Sequence, residues 1–378
     1  MENIERGIEQ SFLKSLMPQK VLLLLGARRT GKTSFIKKII RQTKEPTLLL
    51  NGEDMDTIAA FNKRSMANYK RLIGKNKLLI IDEAQKIPDI GSKLKLMVDE
   101  IAGLKIIATG SSVFDLSNKL GEPLTGRSIT FHLFPFAQSE LQKYESALQT
   151  TAHLEERLIY GCYPELWQYP GNKEKANYLK ELVNTYLLKD ILAFEGIRNS
   201  SKIIELLRLI AFQAGNEVSL HELSQQLGIT RATVERYLDL LTKVFIIFRV
   251  SAYSRNHRKE ISKSSKWYFF DNGIRNTIIA NMNDLSLRSD TGALWENYVI
   301  SERLKYQSYT NMLVNNYFWR TYQQQEIDWI EERGGKLFAH EIKWNPKKNI
   351  KVPRAWKESY PKSEFAAITS DNYLDWIT

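Results

Sequence analysis

Residues 21–40 read VLLLLGARRTGKTSFIKKII. Val21 to Leu25 are five consecutive apolar, β-prone residues. They suit a strand buried on both faces of a parallel sheet, where polar alternation disappears because neither face meets water. GARRTGKT follows and satisfies the spacing G-x-x-x-x-G-K-[ST] at Gly26, Gly31, Lys32 and Thr33. SFIKKIIRQ then carries a helical pattern. Gly26 and Gly31 permit backbone angles that aim successive N–H groups at phosphate oxygens, and the helix N-terminus adds its dipole. Lys32 is expected to reach the β- and γ-phosphates and the Thr33 hydroxyl to ligate Mg²⁺. Arg29, Thr30 and Ser34 complete the expected phosphate-contacting positions.

Two further apolar runs support this reading. KLLIIDEAQ places Asp82 and Glu83 at the carboxyl end of Leu78–Ile81, the end of an open α/β sheet where ligand groups gather. Asp82 is expected to hold Mg²⁺ through water, and Glu83 to polarise the attacking water. KIIATGSS ends in Thr109, Ser111 and Ser112, and Thr109 is expected beside the γ-phosphate or as part of a capped turn. TLLL at 47–50 supplies another strand. Arg127, in LTGRS, is the candidate positive charge for phosphoryl transfer, within the subunit or from a neighbour.

Composition sets the limits. The 378 residues suggest two to four domains, at roughly 100–200 residues each. With 43% hydrophobic residues, 8 Trp, 17 Tyr and 16 Phe, packed cores are expected and disorder is not. The formal net charge of +11 favours an acidic partner, nucleic acid first. The single cysteine, Cys162, rules out an internal disulfide and fits a reducing, cytoplasmic setting. No apolar run approaches the ~18 residues of a membrane span, so no membrane partner is expected. MENIERGIEQSF does not read as a signal peptide.

GARRTGKT, LLIIDEAQ, ATGSS, LTGRS and GCYPEL at 161–166 together resemble the prokaryotic AAA-type P-loop ATPases that carry a C-terminal domain of unassigned function. The resemblance implies ATP binding and hydrolysis over residues 1–135, with assembly into a homo-oligomeric ring. Cys162 stands where that family has a second glycine, away from the nucleotide.

Residues 136–195 are helix-patterned and expected to form a lid. Residues 196–280 read as a winged-helix domain. SLHELSQQLGITRATVERYLDLL shows a capping box at Ser219 and Glu222, a turn at Gly228 and a second helix capped by Thr230. Arg231, Thr233, Glu235 and Arg236 would face a DNA groove. SRNHRKEISKSSK would form a basic wing for phosphates, with Arg255, Arg258, Lys259, Lys263 and Lys266 against Glu260. The alternative is a packing or protein-contact module.

A polar stretch at 280–292 suggests a linker before a domain over 285–378. There EIDWIEERGGKLFAHEIKW reads as two strands joined at Gly334-Gly335. That register puts Asp328 opposite Glu341 and Glu326 opposite Lys343. Carboxylates facing each other at about 5 Å repel. A divalent cation, Mg²⁺ or Mn²⁺, would remove the conflict. The order Glu296, Asp328, Glu341, Lys343 resembles the PD-(D/E)xK restriction-endonuclease-like superfamily. That resemblance implies metal at Asp328 and Glu341, support from Glu296, and activation of the nucleophile by Lys343.

The fold expectation is therefore α/β: a P-loop parallel sheet with helical lid, a winged-helix domain and a restriction-endonuclease-like domain. The functional expectation is Mg²⁺-dependent ATP hydrolysis coupled to DNA binding and to metal-dependent cleavage or processing of branched DNA. The alternative is a nucleotide-controlled signalling or defence switch whose nuclease-like domain is inactive.

Overall fold

The computed structural model describes residues 4–111, 124–187, 191, 200–254, 264–347 and 350–378. The chain divides into two compact units, Met1–Pro135 with Lys243–Phe245, and Phe136–Thr242 with Ile246–Thr378.

The first unit is built on five parallel strands: β1 (Val21–Leu25), β2 (Thr47–Asn51), β3 (Leu78–Asp82), β4 (Lys105–Gly110) and β5 (Ser128–His132), in the order β2-β3-β4-β1-β5. β1 is buried along its whole length, as its unbroken apolar run requires. The helices α1 (Glu9–Ser15), α2 (Lys32–Thr43), α3 (Met55–Asn62), α4 (Met66–Ile73) and α5 (Ile90–Glu100) accompany the sheet. Strand β4 lies between the strand that leads into the phosphate loop and the strand that ends in Asp82. The ends of β1, β3 and β4 therefore share one edge of the sheet.

In the second unit, the part of 136–195 that is described contains α6 (Gln138–Leu141), α7 (Ala147–Ala152), α8 (Leu154–Tyr160) and α9 (Asn172–Glu181). Next come α10 (Ser200–Phe212), α11 (Leu220–Leu227), α12 (Arg231–Lys243), α13 (Asn272–Ile278) and α14 (Thr291–Tyr309). A six-stranded sheet runs β11-β10-β9-β8-β6-β7. Its strands are β6 (Ile247–Ala252), β7 (Ser265–Phe269), β8 (Asn315–Arg320), β9 (Glu326–Arg333), β10 (Lys336–Ile342) and β11 (Glu364–Ile368).

This arrangement joins segments that the sequence separates. The strand pair β6–β7, which flanks the segment expected as a basic wing, continues into the C-terminal sheet through the parallel pairs Ser251↔Tyr317 and Ala252↔Phe318. An isolated two-stranded hairpin is marginal in water, and β7 is buried at every position. The helices of 136–187 are held to later elements as well. Asn276 Nδ2 donates to the Leu158 and Ile159 carbonyls, and Cys162 N–H donates to Asp271. The three expected segments are one compact unit. Among the described residues no helix is long and apolar enough to cross a membrane.

Candidate nucleotide site and carboxylate centre

The first site forms where β1, β3 and β4 end. Gly31 takes φ +92 as the cap of α2, a left-handed angle that favours glycine. Gly26 is needed for a different reason from the one its spacing suggests: a Cβ there would run into the Leu133 carbonyl that leaves β5. Thr30 is buried, and its hydroxyl donates to the Ala27 carbonyl at 2.9 Å. Arg29 and Ser34 are exposed. Lys32 is folded onto its own loop, donating to the carbonyls of Gly26 (2.8 Å) and Ala27 (3.0 Å). Those are exchangeable backbone partners for a cation expected to meet phosphate.

Thr33 Oγ1 donates to Asp82 Oδ2 at 2.9 Å. On the other side the Thr109 hydroxyl donates to Asp82 Oδ1, while also accepting the Glu83 N–H at 3.1 Å. One threonine at the end of β4 thus bridges the two acidic residues at the end of β3. Glu83 has φ +50, which costs a non-glycine residue about 1 kcal/mol or more. Such strain concentrates at functional positions. Its carboxylate accepts from Gln85 Nε2 at 2.5 Å, and Gln85 also reaches Ser111 at 3.3 Å. Ser112 lies outside the described residues.

Two arginines stand out. The spacing of motifs gave no signal for Arg6, yet it is buried and donates to the Thr30 carbonyl (2.9 Å) and the Phe134 carbonyl (2.6 Å). It braces the phosphate loop against the exit of β5. Arg127 lies at the amino end of the sheet, where its carbonyl accepts the Val21 N–H. The phosphate loop begins at the other end of β1, roughly 13 Å away at 3.3 Å per residue. Arg127 pairs with Asp99 at 2.6 Å. Arg127 therefore stands at the far end of β1 from its own phosphate loop.

In the second unit the helix pair forms as its pattern requires. The Ser219 hydroxyl caps α11 by accepting the Glu222 N–H, and Gly228 ends that helix at φ +62. The Thr233 N–H donates to Thr230 Oγ1 at 3.2 Å. Val234, Leu238 and Leu241 are buried, and Arg236 is exposed. Arg231 is 60% exposed but pairs with Glu235 at 3.2 Å. Both line a cavity of about 780 Å³ that also carries Glu217, Glu222 and Asp239. Arg249 lines it too, so acidic and basic side chains share this cavity. Arg255, Arg258 and Lys259 lie outside the described residues, as do Lys263 and Glu260.

Lys266 does not belong to a solvent-facing basic wing. It is 1% exposed and sits on β7 with Tyr268, two residues on and therefore on the same face. Its ammonium ion-pairs with Glu326 and lies 3.7 Å from Glu296 Oε1 and 4.0 Å from Asp328 Oδ1. The Tyr268 hydroxyl donates to Glu296 Oε1 at 2.7 Å. Gly215 packs so closely that a Cβ there would lie 3.0 Å from the same oxygen. The hairpin has the expected register, with Lys336↔Arg333 through His340↔Trp329 paired around Gly334 and Gly335 at φ +56 and +73. The ladder ends one pair before Asp328 and Glu341. There Asp328 Oδ2 accepts the Ile342 N–H at 2.8 Å. Lys343 bridges the two acids, 3.1 Å from Asp328 Oδ2 and 2.7 Å from Glu341 Oε1.

Burial and the neighbouring Asp328 raise the Glu296 carboxyl to about 7, although Lys266 opposes this. Burial also raises Glu341. Lys343 is held above its ordinary value because Asp328 and Glu341 outweigh desolvation. The residues do not fit the expected metal. No three acidic, His or Cys side chains among the described residues are arranged to hold an ion. Glu341 Oε2 is buried without a partner, but one oxygen is not a coordination sphere. The facing carboxylates are neutralised by two ammonium groups.

Three family models match successive parts of the chain. Residues 18–142 match the family described as an AAA domain. Residues 151–286 and 291–374 match two families described as domains of unknown function, DUF8612 and DUF4143. An uncharacterized protein of Mycobacterium tuberculosis is 28% identical over 335 residues, covering 87% of this chain and 71% of that protein. One of Methanocaldococcus jannaschii is 25% identical over 334 residues, covering 83% and 73%. Among solved structures, a RuvB mutant of Thermotoga maritima has 16% identity and a TM-score of 0.33, covering 65% of this chain and 90% of that one. A signal transduction ATPase with numerous domains from Pyrococcus horikoshii has 12% identity and a TM-score of 0.32, covering 82% and 48%.

Proposed function

We propose that this chain is a Mg²⁺-dependent ATP hydrolase whose second unit contacts DNA. The AAA domain match over residues 18–142 and the parallel sheet support an AAA-type P-loop ATPase fold. The observation that carries the hydrolase reading is the 2.9 Å bond from Thr33 to Asp82, with Thr109 closing the other side of the carboxylate. A hydroxyl and a carboxylate held in that way, beside a lysine resting on exchangeable carbonyls, suit a Mg²⁺–triphosphate. When bound, Mg²⁺ supplies neutralisation of the β- and γ-oxygens. Thr33 and Asp82 would hold it. Lys32 would leave the Gly26 and Ala27 carbonyls for phosphate oxygens, and Glu83 would orient the attacking water. Arg127, half-buried and distant from its own loop, would serve a neighbouring copy in a homo-oligomer.

The experiment is phosphate release from Mg²⁺-ATP by wild type and Lys32→Ala. Turnover is expected to fall about 10³-fold or more in the variant, and retained turnover would sink the reading. The DNA proposal rests on the net charge of +11 and the exposed Arg236. Arg236→Glu is expected to weaken duplex binding and flatten its salt dependence by roughly one phosphate contact. An unchanged salt slope would remove α12 from the DNA surface.

A further inference from the structure

Four carboxylates, Glu296, Glu326, Asp328 and Glu341, come together in the second unit on three elements, β9, β10 and α14. Hydrolysis in the first unit makes no use of them. Something must balance their charge, because like charges within about 4 Å repel strongly away from water. Lys266 meets Glu326, Glu296 and Asp328, and Lys343 meets Asp328 and Glu341. A divalent cation here would have to occupy the ground these ammonium groups hold. Lys266 cannot easily swing away. Its side chain is buried, its backbone is paired with Val250 on β6, and the Phe318 ring lies 5.3 Å from its ammonium. One oxygen of each of three acids is committed as well: Asp328 Oδ2 to Ile342 N–H and Lys343, Glu296 Oε1 to Tyr268, and Glu341 Oε1 to Lys343, while Glu341 Oε2 is buried without a partner.

We infer that Lys266 takes the place of a divalent cation at this centre, so that the second unit binds neither Mg²⁺ nor Mn²⁺ there. Its carboxylates tie β7, β9, β10 and α14 together through ammonium groups. The centre is then a site of cohesion, and contact with DNA by this unit proceeds without metal-dependent cleavage at Glu341.

The test is Mn²⁺ titration of the full chain, stripped with EDTA and free of nucleotide, with free Mn²⁺ read by electron paramagnetic resonance. Asp82 is intact in every variant, so weak binding at the phosphate loop cancels, and the outcome is independent of the hydrolase reading. Wild type and Glu341→Gln are expected to take up the same amount of Mn²⁺. One additional ion per chain in wild type would overturn the inference. Lys266→Met removes the ammonium shared by Glu296, Glu326 and Asp328, leaving Asp328 to Lys343 and Glu326 to Arg320, and is expected to take up one additional Mn²⁺ per chain relative to wild type. Adding Asp328→Asn should abolish that gain. A folded Lys266→Met chain that gains no Mn²⁺ also overturns the inference. If that variant does not fold, the comparison of wild type with Glu341→Gln decides alone.

Discussion

The two polar centres of this molecule use the same side-chain types to opposite ends. In the first, the lysine is parked on backbone carbonyls and the carboxylate on hydroxyls: Lys32 on Gly26 and Ala27, Asp82 on Thr33 and Thr109. The hydroxyls on Asp82 are neutral partners, so that carboxylate keeps a demand that a bound cation can meet. In the second, lysine and carboxylate face each other directly, and Lys266 and Lys343 satisfy the acids from within. A centre that pairs its charges internally gains cohesion and gives up appetite for ligands. One whose carboxylate rests on hydroxyls stays poised for a cation.

The comparison can be broken most severely at Lys32, whose replacement should remove nearly all turnover while leaving the fold in place. The matching change in the second centre, Lys266→Ala, should act on stability instead. Breaking a buried ion pair from one side costs roughly 3–5 kcal/mol, so the urea midpoint of the second unit should fall sharply in EDTA while phosphate release per folded molecule is unchanged. A midpoint within error of wild type would show that Lys266 holds nothing together.

The opposite face of β10 sharpens the contrast. His340 stacks on Trp376 with ring centroids 4.7 Å apart, and burial lowers its imidazole from 6.5 to about 4. The folded state therefore resists a proton that the unfolded chain accepts near pH 6.5. Stability is present above pH 6.5, is lost as the pH falls towards 4, and levels off below that. The expected loss is on the order of 2–3 kcal/mol, read as urea midpoints from pH 7 to 4. His340→Phe should lose correspondingly less. Equal slopes would assign the acid response to other groups.

The smallest effect belongs to Thr109→Val, which keeps shape and removes the hydroxyl that bridges Asp82 and Glu83. Its loss should slow phosphate release by about tenfold, equivalent to about 1–1.5 kcal/mol, with nucleotide affinity little changed. A larger fall in affinity than in turnover would mean that Thr109 positions the nucleotide rather than the acids.

Much of the first site is legible in the sequence because its parts are contiguous. A strand, an eight-residue loop and a helix N-terminus are specified by neighbours along the chain, and Thr109 at the end of β4 follows from one more strand. The hairpin register around Gly334-Gly335 is equally local: a two-residue turn fixes which residues oppose one another. The same local reading attaches Lys266 to the basic run before it, because adjacency in sequence is the only proximity that a sequence displays.

By itself, then, the sequence determined the phosphate loop, its acidic partner strand, the helix–turn–helix at Gly228 and the hairpin register around Gly334-Gly335. Tertiary structure alone decided what balances Asp328 and Glu341, that Arg127 stands at the far end of the sheet from its own loop, that Arg6 braces the phosphate loop, and that Gly26 is glycine because the Leu133 carbonyl crowds it. The physical reason is common to all four. Each depends on which distant strand or segment lies alongside, and electrostatic and steric demands are met by whatever that neighbour brings.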